Sequence, residues 1–204
     1  MTPDIDLIAR LGLGLIFAGA AVIGFPHRLR ADRAGGKVSI RGDPAWFWRF
    51  MLIAAPALLL ACIIFLINPR WMDWSAVPLP PWLRLAGLIL ALPGLGLFKW
   101  MFVHLGHNVT STSVPRSNAT LVTTGPYRWV RHPMYTSAHM LYLAVSLLTA
   151  NWFIAACAAA GFALLAARTR IEEQRLIEQF GDAYRDYMRA TGRFLPRLRR
   201  KGTG

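Results

Sequence analysis

Residues 50–67 read FMLIAAPALLLACIIFLI and contain no charged side chain. A helix of about 20 mostly apolar residues is long enough to cross the hydrocarbon core of a bilayer, which is about 30 Å thick. The chain as a whole is 55% hydrophobic, a share that soluble proteins also approach, so the distribution of charges is more informative than the total. The length and composition of residues 50–67 therefore predict a membrane-spanning helix.

Two further stretches of similar length each carry a single charge near one end. Arg10 lies close to the start of residues 7–25, and Lys99 lies near the end of residues 85–103. Charges at these positions reach the membrane surface more readily than charges at the centre of a span. Both stretches are predicted to be membrane-spanning helices.

Residues 135–167 carry no charge and are too long for one span. Asn151 and Trp152 lie near the middle of this stretch, which predicts a helical hairpin with spans of 135–150 and 152–168. The first of these is short for a lone span. The predicted fold is an all-α, integral membrane helical bundle of about five transmembrane helices.

The last span is predicted to continue beyond Arg168 as a cytoplasmic C-terminal amphipathic helix. Side chains spaced three and four residues apart fall on one face of that helix: Glu173, Ile177, Phe180, Tyr184 and Tyr187. Gly181 and Asp182 are predicted to end this helix and begin a short second one.

Two connectors differ in what they indicate. Residues 26–49 contain Gly35-Gly36 and Asp43-Pro44 and lack helical periodicity, which predicts a polar connector. Residues 104–134 form a long connector for a compact membrane protein, and long connectors often carry function.

Basic residues are concentrated in three regions, which predicts the orientation of the chain. Lys and Arg total 23 against 10 acidic residues, and six of them fall in residues 25–49, four in residues 99–131 and ten between residue 168 and the end. Cytoplasmic loops of membrane proteins are enriched in Lys and Arg. Five spans place all three regions on one side, whereas four or six would separate them. The N-terminus is therefore predicted to lie outside and the C-terminus in the cytoplasm.

The positive charge and the potential metal ligands have simpler explanations than nucleic-acid or metal binding. The basic residues flank membrane spans, where they contact anionic lipid head groups, so membrane lipids and not nucleic acid are the expected partners. His104 and His107 lack a third ligand at metal-binding spacing, and Cys62 and Cys157 lie within apolar spans. No metal site is expected.

Three features allow both a structural and a functional interpretation. Arg131 suits either a lipid head group or a substrate. Glu173 shares a face with apolar residues and is a functional candidate at the membrane edge, whereas Glu172 lies three residues from Arg175, at the spacing of an intrahelical ion pair. Small residues at Gly94 and Gly96 serve either helix packing or the approach of a ligand.

Four segments together resemble a known family. Residues 120–135 read TLVTTGPYRWVRHPMY, and RIEE (170–173), FGDAYRDY (180–187) and RFLP (193–196) follow in order. This combination resembles the isoprenylcysteine carboxyl methyltransferase family over residues 87–196. Phospholipid N-methyltransferases share the same C-terminal architecture, and membrane steroid and sterol reductases share it more distantly.

The resemblance implies one membrane domain over residues 1–204. Residues 1–85 match only as generic spans and loops, residues 86–196 form the methyltransferase-like core, and residues 197–204 are a basic tail. The implied function is S-adenosylmethionine-dependent methyl transfer to a lipidic or membrane-embedded acceptor, with a carboxylate, as in isoprenylcysteine O-methylation, the first choice. The alternatives are a phospholipid amine N-methyltransferase, an NADPH-dependent reductase of the sterol reductase type, and a non-catalytic membrane scaffold.

The resemblance also assigns site residues. Residues matching the cofactor site of these families are Gly94, Gly96, Tyr127, His132, Pro133, Tyr135, Glu172 and Glu173. Candidate catalytic residues are Arg131, Glu173 and Arg193. A carboxylate acceptor would be oriented by Arg131 or Arg193 through paired hydrogen bonds, whereas an amine acceptor would need a base such as Glu173, Glu172 or His132.

Overall fold

The computed structural model describes residues 3–35, 43–108 and 119–197, which form six α-helices and three 3₁₀ turns. The helices are α1 (Pro3–Gly35), α2 (Ala45–Ile67), α3 (Pro81–Leu105), α4 (Pro133–Thr149), α5 (Trp152–Phe180) and α6 (Asp182–Ala190). The 3₁₀ turns are Pro69–Ser75, Gly106–Asn108 and Gly125–Arg128.

Helices α1, α2, α3 and α5 are long and apolar enough to cross a membrane. Helix α4 has 17 residues, or about 26 Å at 1.5 Å per residue, and it packs against α1, α3 and α5. Large apolar side chains are exposed on the outer faces of the bundle, including Leu52, Ile53, Ile89 and Leu92, as lipid-facing positions require. The predicted all-α membrane bundle is confirmed, and α4 is its shortest member.

One core joins the five long helices. Leu13 of α1, Phe65 of α2, Ala91 of α3, Leu148 of α4 and Ile154 of α5 belong to the same buried cluster. The predicted hairpin is also confirmed, because α4 ends at Thr149 and the side chain of Asn151 accepts a hydrogen bond from the backbone N–H of Ile154 at 3.0 Å, which caps α5.

The prediction of a polar connector over residues 26–49 is wrong at both ends. Helix α1 continues through Pro26 to Gly35, and α2 already begins at Ala45. The ring of His27 stacks on Phe102 at a centroid distance of 5.3 Å, and Ala31 is buried beside Met101. These contacts with α3 stabilise the extension of α1. The sequence of residues 26–35 has no helical periodicity from which the extension could be predicted. Residues 36–42 of the connector lie outside the described ranges.

Helices α3 and α4 approach closely because α3 has glycine at the contact. A Cβ atom on Gly87 would lie 2.6 Å from the carbonyl oxygen of Ala144 and 2.9 Å from the backbone nitrogen of Leu148. Gly94 contacts the same helix through Leu141. Small residues at such contacts let two backbones approach within a membrane, so this face of α3 fixes the position of α4.

Replacing Gly87 by alanine is expected to lower the free energy of unfolding by about 1–3 kcal/mol, the usual cost of overpacking. The neighbouring atoms belong to the α4 backbone and cannot rotate away. Thermal unfolding in detergent measures the change, with Gly14→Ala as control, because a Cβ atom on Gly14 would come no closer than 4.0 Å to the side chain of Leu66. Equal stability of the two variants would contradict the close approach of α3 and α4.

Candidate functional site

A cavity lies at the end of the bundle where α5 extends beyond the apolar core. Its wall is built from the C-terminal end of α3, residues 119–122, residues 127–135, the second half of α5 and α6. The apolar part of the wall includes one or more side chains from each of these elements except α6, which contributes tyrosines: Leu105, Val122, Met134, Leu176 and Phe180.

Glycine and proline shape the segment that forms one side of the cavity. Gly125 has φ +59°, and a Cβ atom there would overlap the ring of His104, so only glycine fits. Pro126 lies in the first turn of the 3₁₀ segment and Pro133 begins α4, positions at which the missing N–H is not needed. Gly125, Pro126 and Pro133 fix the backbone around Tyr127, whose side chain lines the cavity.

The C-terminal segment pairs with the residues that precede α4. The backbone N–H of Gly192 donates to Trp129 O at 3.1 Å, Arg131 N–H donates to Gly192 O at 2.9 Å, and His132 N–H donates to Arg193 O at 3.1 Å. Since these bonds join segments about 60 residues apart, they hold the polypeptide after α6 against the start of α4.

Glu173 is the centre of a buried ion cluster beside the cavity. Its side chain is 4% exposed. Oε1 accepts hydrogen bonds from Arg131 Nε at 2.9 Å, His132 Nε2 at 3.2 Å and Arg193 Nε at 3.2 Å, and Oε2 accepts a further bond from Arg193. One carboxylate thus joins α5, the start of α4 and the C-terminal segment.

The side chain of Arg131 makes three hydrogen bonds within the protein. Besides its bond to Glu173, its Nη1 donates to the carbonyl oxygens of Met188, at 3.1 Å, and Thr191. These carbonyls belong to the end of α6, where a cation is favourable. Arg131 therefore holds α6 against α4 and α5.

A second polar chain reaches the cavity from the first connector. Arg168 donates to both carboxylate oxygens of Asp43, at 3.0 and 3.1 Å, and its Nη1 donates to the Tyr135 hydroxyl at 3.0 Å. Tyr135 in turn donates to Glu172 Oε2 at 2.7 Å. Arg168, Tyr135 and Glu172 all line the cavity.

Three tyrosines from two elements complete the aromatic side of the cavity. The Tyr187 hydroxyl donates to Tyr127 O at 2.6 Å, which ties α6 to the 3₁₀ turn. Burial raises the pKa of the Tyr127 and Tyr187 phenols above their ordinary value, and burial together with Glu173 and Glu172 raises the pKa of Tyr184. All three hydroxyls stay protonated at neutral pH.

The sequence profile of the phospholipid methyltransferase family matches residues 82–183, which is half of the chain. The chain belongs to this family. The matched region contains α3, α4, α5 and the segment that lines the cavity between them. The resemblance identified from the sequence motifs is thereby confirmed.

Characterised relatives of this phospholipid methyltransferase family member include enzymes with different acceptors. The methanethiol S-methyltransferase of Mycobacterium tuberculosis is 39% identical over 70 residues, which is 34% of this chain and 28% of that protein. The protein-S-isoprenylcysteine O-methyltransferase of Rattus norvegicus is 30% identical over 126 residues, which is 60% of this chain and 44% of that protein. The chain thus spans less than half the length of either relative.

A solved structure has the same fold. The eukaryotic intramembrane Ras methyltransferase, isoprenylcysteine carboxyl methyltransferase, superimposes with a TM-score of 0.55 at 22% sequence identity, covering 94% of this chain and 71% of that one. At 22% identity, the similarity supports a shared fold and does not extend to the function.

The structure brings most of the predicted site residues of this family member together. Those on the cavity wall are Tyr127, Arg131, His132, Pro133, Tyr135 and Glu172. Glu173 and Arg193 belong to the adjacent ion cluster and do not line the cavity. Gly94 and Gly96 are not on the cavity wall, and a Cβ atom on Gly94 would instead contact Leu141 and Met140 of α4. The roles of all these residues remain predictions.

Sequence reasoning missed Asp43 and Arg168. Arg168 follows an apolar span and resembles any basic residue that sets membrane orientation. The available signal was Asp43, because it is one of only two acids among the basic residues of the connector at 26–49, and an acid in such surroundings suggests a specific partner. Among the described residues, no group of three potential metal ligands occurs.

Proposed function

We propose that this chain transfers the methyl group of S-adenosylmethionine to a hydrophobic acceptor that enters from the membrane. The observation that supports this most directly is the cavity between α3, α4, α5 and α6, which combines aromatic and apolar walls with the carboxylate of Glu172. It is lined largely by the region that matches a family of methyltransferases.

The residues on the cavity wall fit the parts of S-adenosylmethionine. Leu105, Val122 and Phe180 offer apolar surface to a purine base, and tyrosine rings favour a nearby cation such as a sulfonium. Glu172 is the carboxylate on this wall, and it suits the ribose hydroxyls or the ammonium of the methionine part.

When bound, S-adenosylmethionine supplies a methyl group on a positively charged sulfur, which an acceptor displaces in line. The protein then has mainly to orient the two reactants and exclude water. Helix α6, held by Arg131 and by Tyr187, forms one side of the cavity through Tyr184 and Tyr187 and so limits the access of water. Tyr135 keeps Glu172 in place by donating a hydrogen bond from its hydroxyl to the Glu172 carboxylate.

The charges on the cavity wall favour S-adenosylmethionine over NADPH. The phosphates of NADPH need available cations. Arg131 and Arg168 line the cavity, but each is paired with a buried carboxylate, Glu173 or Asp43. Glu172 adds a negative charge, which repels a phosphate and attracts a cationic donor.

A carboxylate is the first choice of acceptor, and Arg193 is the residue that orients it. Of the two arginines expected at the substrate end, Arg131 is held by α6, whereas the Arg193 side chain is 37% exposed. Its Nε and Nη2 donate to Glu173, so the Nη1 group is the part of Arg193 that would bind an acceptor beside the cavity. The ring of Phe194 lies 5.9 Å from Phe162 in the span of α5 and 6.0 Å from His132, which gives an apolar acceptor a surface near the site. A carboxylate needs no base.

A thiol is the second class of acceptor, since one relative is a methanethiol S-methyltransferase. A thiol or a phospholipid amine becomes a better nucleophile when it loses its proton. Glu172 and His132 are the groups on the cavity wall that can accept that proton.

The basic end of the bundle, which holds the cavity, is the cytoplasmic end in this proposal. Arg28, Arg30 and Arg33 on the extension of α1 lie at the same end as the arginines of α5 and α6. Positive charge on one side is typical of cytoplasmic surfaces. The N-terminus then lies outside, and residues 1–204 act as one membrane domain.

Titration of the detergent-purified protein is expected to show saturable binding of S-adenosylmethionine and none of NADPH. Isothermal calorimetry measures both, and S-adenosylhomocysteine, which keeps the adenosine and amino-acid parts, is expected to compete. Binding of NADPH alone would assign the chain to the reductases. If a folded sample bound neither compound, the proposed function would be wrong.

A further inference from the structure

Asp43 lies outside the region that matches the family, yet it contacts a residue on the cavity wall. It follows α1 and precedes α2, whereas the match begins at residue 82. Its side chain is 0% exposed and that of Arg168 is 7% exposed. Two hydrogen bonds, at 3.0 and 3.1 Å, join its carboxylate to the guanidinium. A buried pair with this paired geometry restricts the orientation of the arginine.

The orientation of Arg168 determines the direction of the next hydrogen bond. Guanidinium groups only donate, so the Tyr135 hydroxyl must accept from Arg168. A tyrosine hydroxyl has one proton, and it is then left to donate to Glu172 Oε2. The chain Asp43–Arg168–Tyr135–Glu172 has one consistent set of donors and acceptors.

Arg168 and Glu172 are also four residues apart on α5, the spacing at which oppositely charged side chains on a helix form ion pairs. A guanidinium without Asp43 would be a buried, unpaired cation, which is strongly unfavourable. The nearest carboxylate on the same helix face is that of Glu172. Direct pairing would partly neutralise Glu172 and leave its carboxylate less available to a cation in the cavity.

We propose that Asp43 is a positioning residue of the donor site, which keeps Arg168 from pairing with Glu172 and so leaves the Glu172 carboxylate available to the cationic donor. This inference rests on the proposed function, because it takes Glu172 as a contact of S-adenosylmethionine. It extends the site from the family-matched core into the first connector.

The test compares the dissociation constant for S-adenosylmethionine in four proteins. We expect Asp43→Asn to raise it about tenfold, the middle of the coupling range for groups in one hydrogen-bond network. The double variant Asp43→Asn/Arg168→Gln removes the competing cation as well, and its constant is expected to return to within about threefold of wild type. Asp182→Asn is the matched control, because Asp182 forms an exposed ion pair with Arg185.

Stability is measured in parallel, so that affinities are compared only in folded protein. A merely structural role for Asp43 would lower the unfolding temperature of Asp43→Asn and leave its dissociation constant unchanged, and this result would overturn the inference. The inference would also be overturned if the double variant bound S-adenosylmethionine as weakly as Asp43→Asn, since Arg168 itself would then be the group that contacts the donor.

Arg168→Lys provides the test if Asp43→Asn does not fold. It keeps a buried cation beside Asp43 but lacks the planar fork that serves Asp43 and Tyr135 together. Because one ammonium cannot hold both Asp43 oxygens and the Tyr135 hydroxyl, this cation is kept less firmly from Glu172, and about tenfold weaker binding is expected. Unchanged binding would show that fixing the cation does not affect the donor site, which would refute the role of Asp43. If the wild-type protein failed to bind S-adenosylmethionine, the proposed function itself would be refuted. This outcome differs from a failure of the inference about Asp43, in which the wild type binds and the variants bind equally well.

Discussion

Replacing Glu173 by alanine is expected to lower the free energy of unfolding by about 3–5 kcal/mol, the usual cost of breaking a buried ion pair from one side. The substitution leaves Arg131 and His132 buried without their shared carboxylate. It also removes the partner of Arg193 in the segment that pairs with the start of α4. We therefore expect the chain after α6 to detach at a lower temperature than the membrane bundle unfolds.

Thermal unfolding in detergent and limited proteolysis of the C-terminal segment measure this effect. Asp186→Asn is the control, because Asp186 pairs with Arg189 on the exposed face of α6, and exposed pairs contribute only about 0–1 kcal/mol. If Glu173→Ala unfolded at the wild-type temperature and resisted protease equally, Glu173 would not be the residue that holds these segments together.

The fold was largely predictable because lipid imposes a simple pattern. A span needs a long apolar segment, and residues 50–67 and 135–167 show this without any knowledge of their neighbours. The continuation of α1 through Pro26 was not predictable in the same way. It depends on contacts of His27 and Ala31 with α3, and such tertiary contacts leave no periodic signal in the segment itself.

The sequence predicted which residues lie at the site, but it did not predict which of them pair with one another. Local motifs place Tyr127, His132 and Tyr135 together because they surround the start of one helix. Two positions next to each other on a helix point about 100° apart, so the choice between Glu172 and Glu173 depends on how α5 is rotated against α4. The pairing of Asp43 with Arg168 joins residues 125 positions apart, and no spacing rule reaches that far.

Glu172→Gln is expected to raise the dissociation constant for S-adenosylmethionine by about 10–150-fold, with no loss of stability. Hydrogen bonds to charged groups contribute about 1.5–3 kcal/mol, and glutamine removes the charge while its amide oxygen still accepts the proton of Tyr135. Calorimetry on folded protein measures the change, with Glu178→Gln as control, because Glu178 is exposed and lies six residues further along α5.

Together with the Glu173 variant, this measurement distinguishes the two neighbouring acids, since one is tested by affinity for the donor and the other by stability. Glu172 lines the cavity and should change affinity, whereas Glu173 lies in the ion cluster and should change stability. The opposite pattern, with weak binding in a stable Glu173→Gln protein and normal binding in Glu172→Gln, would show that α5 turns when the donor binds and presents Glu173 to it.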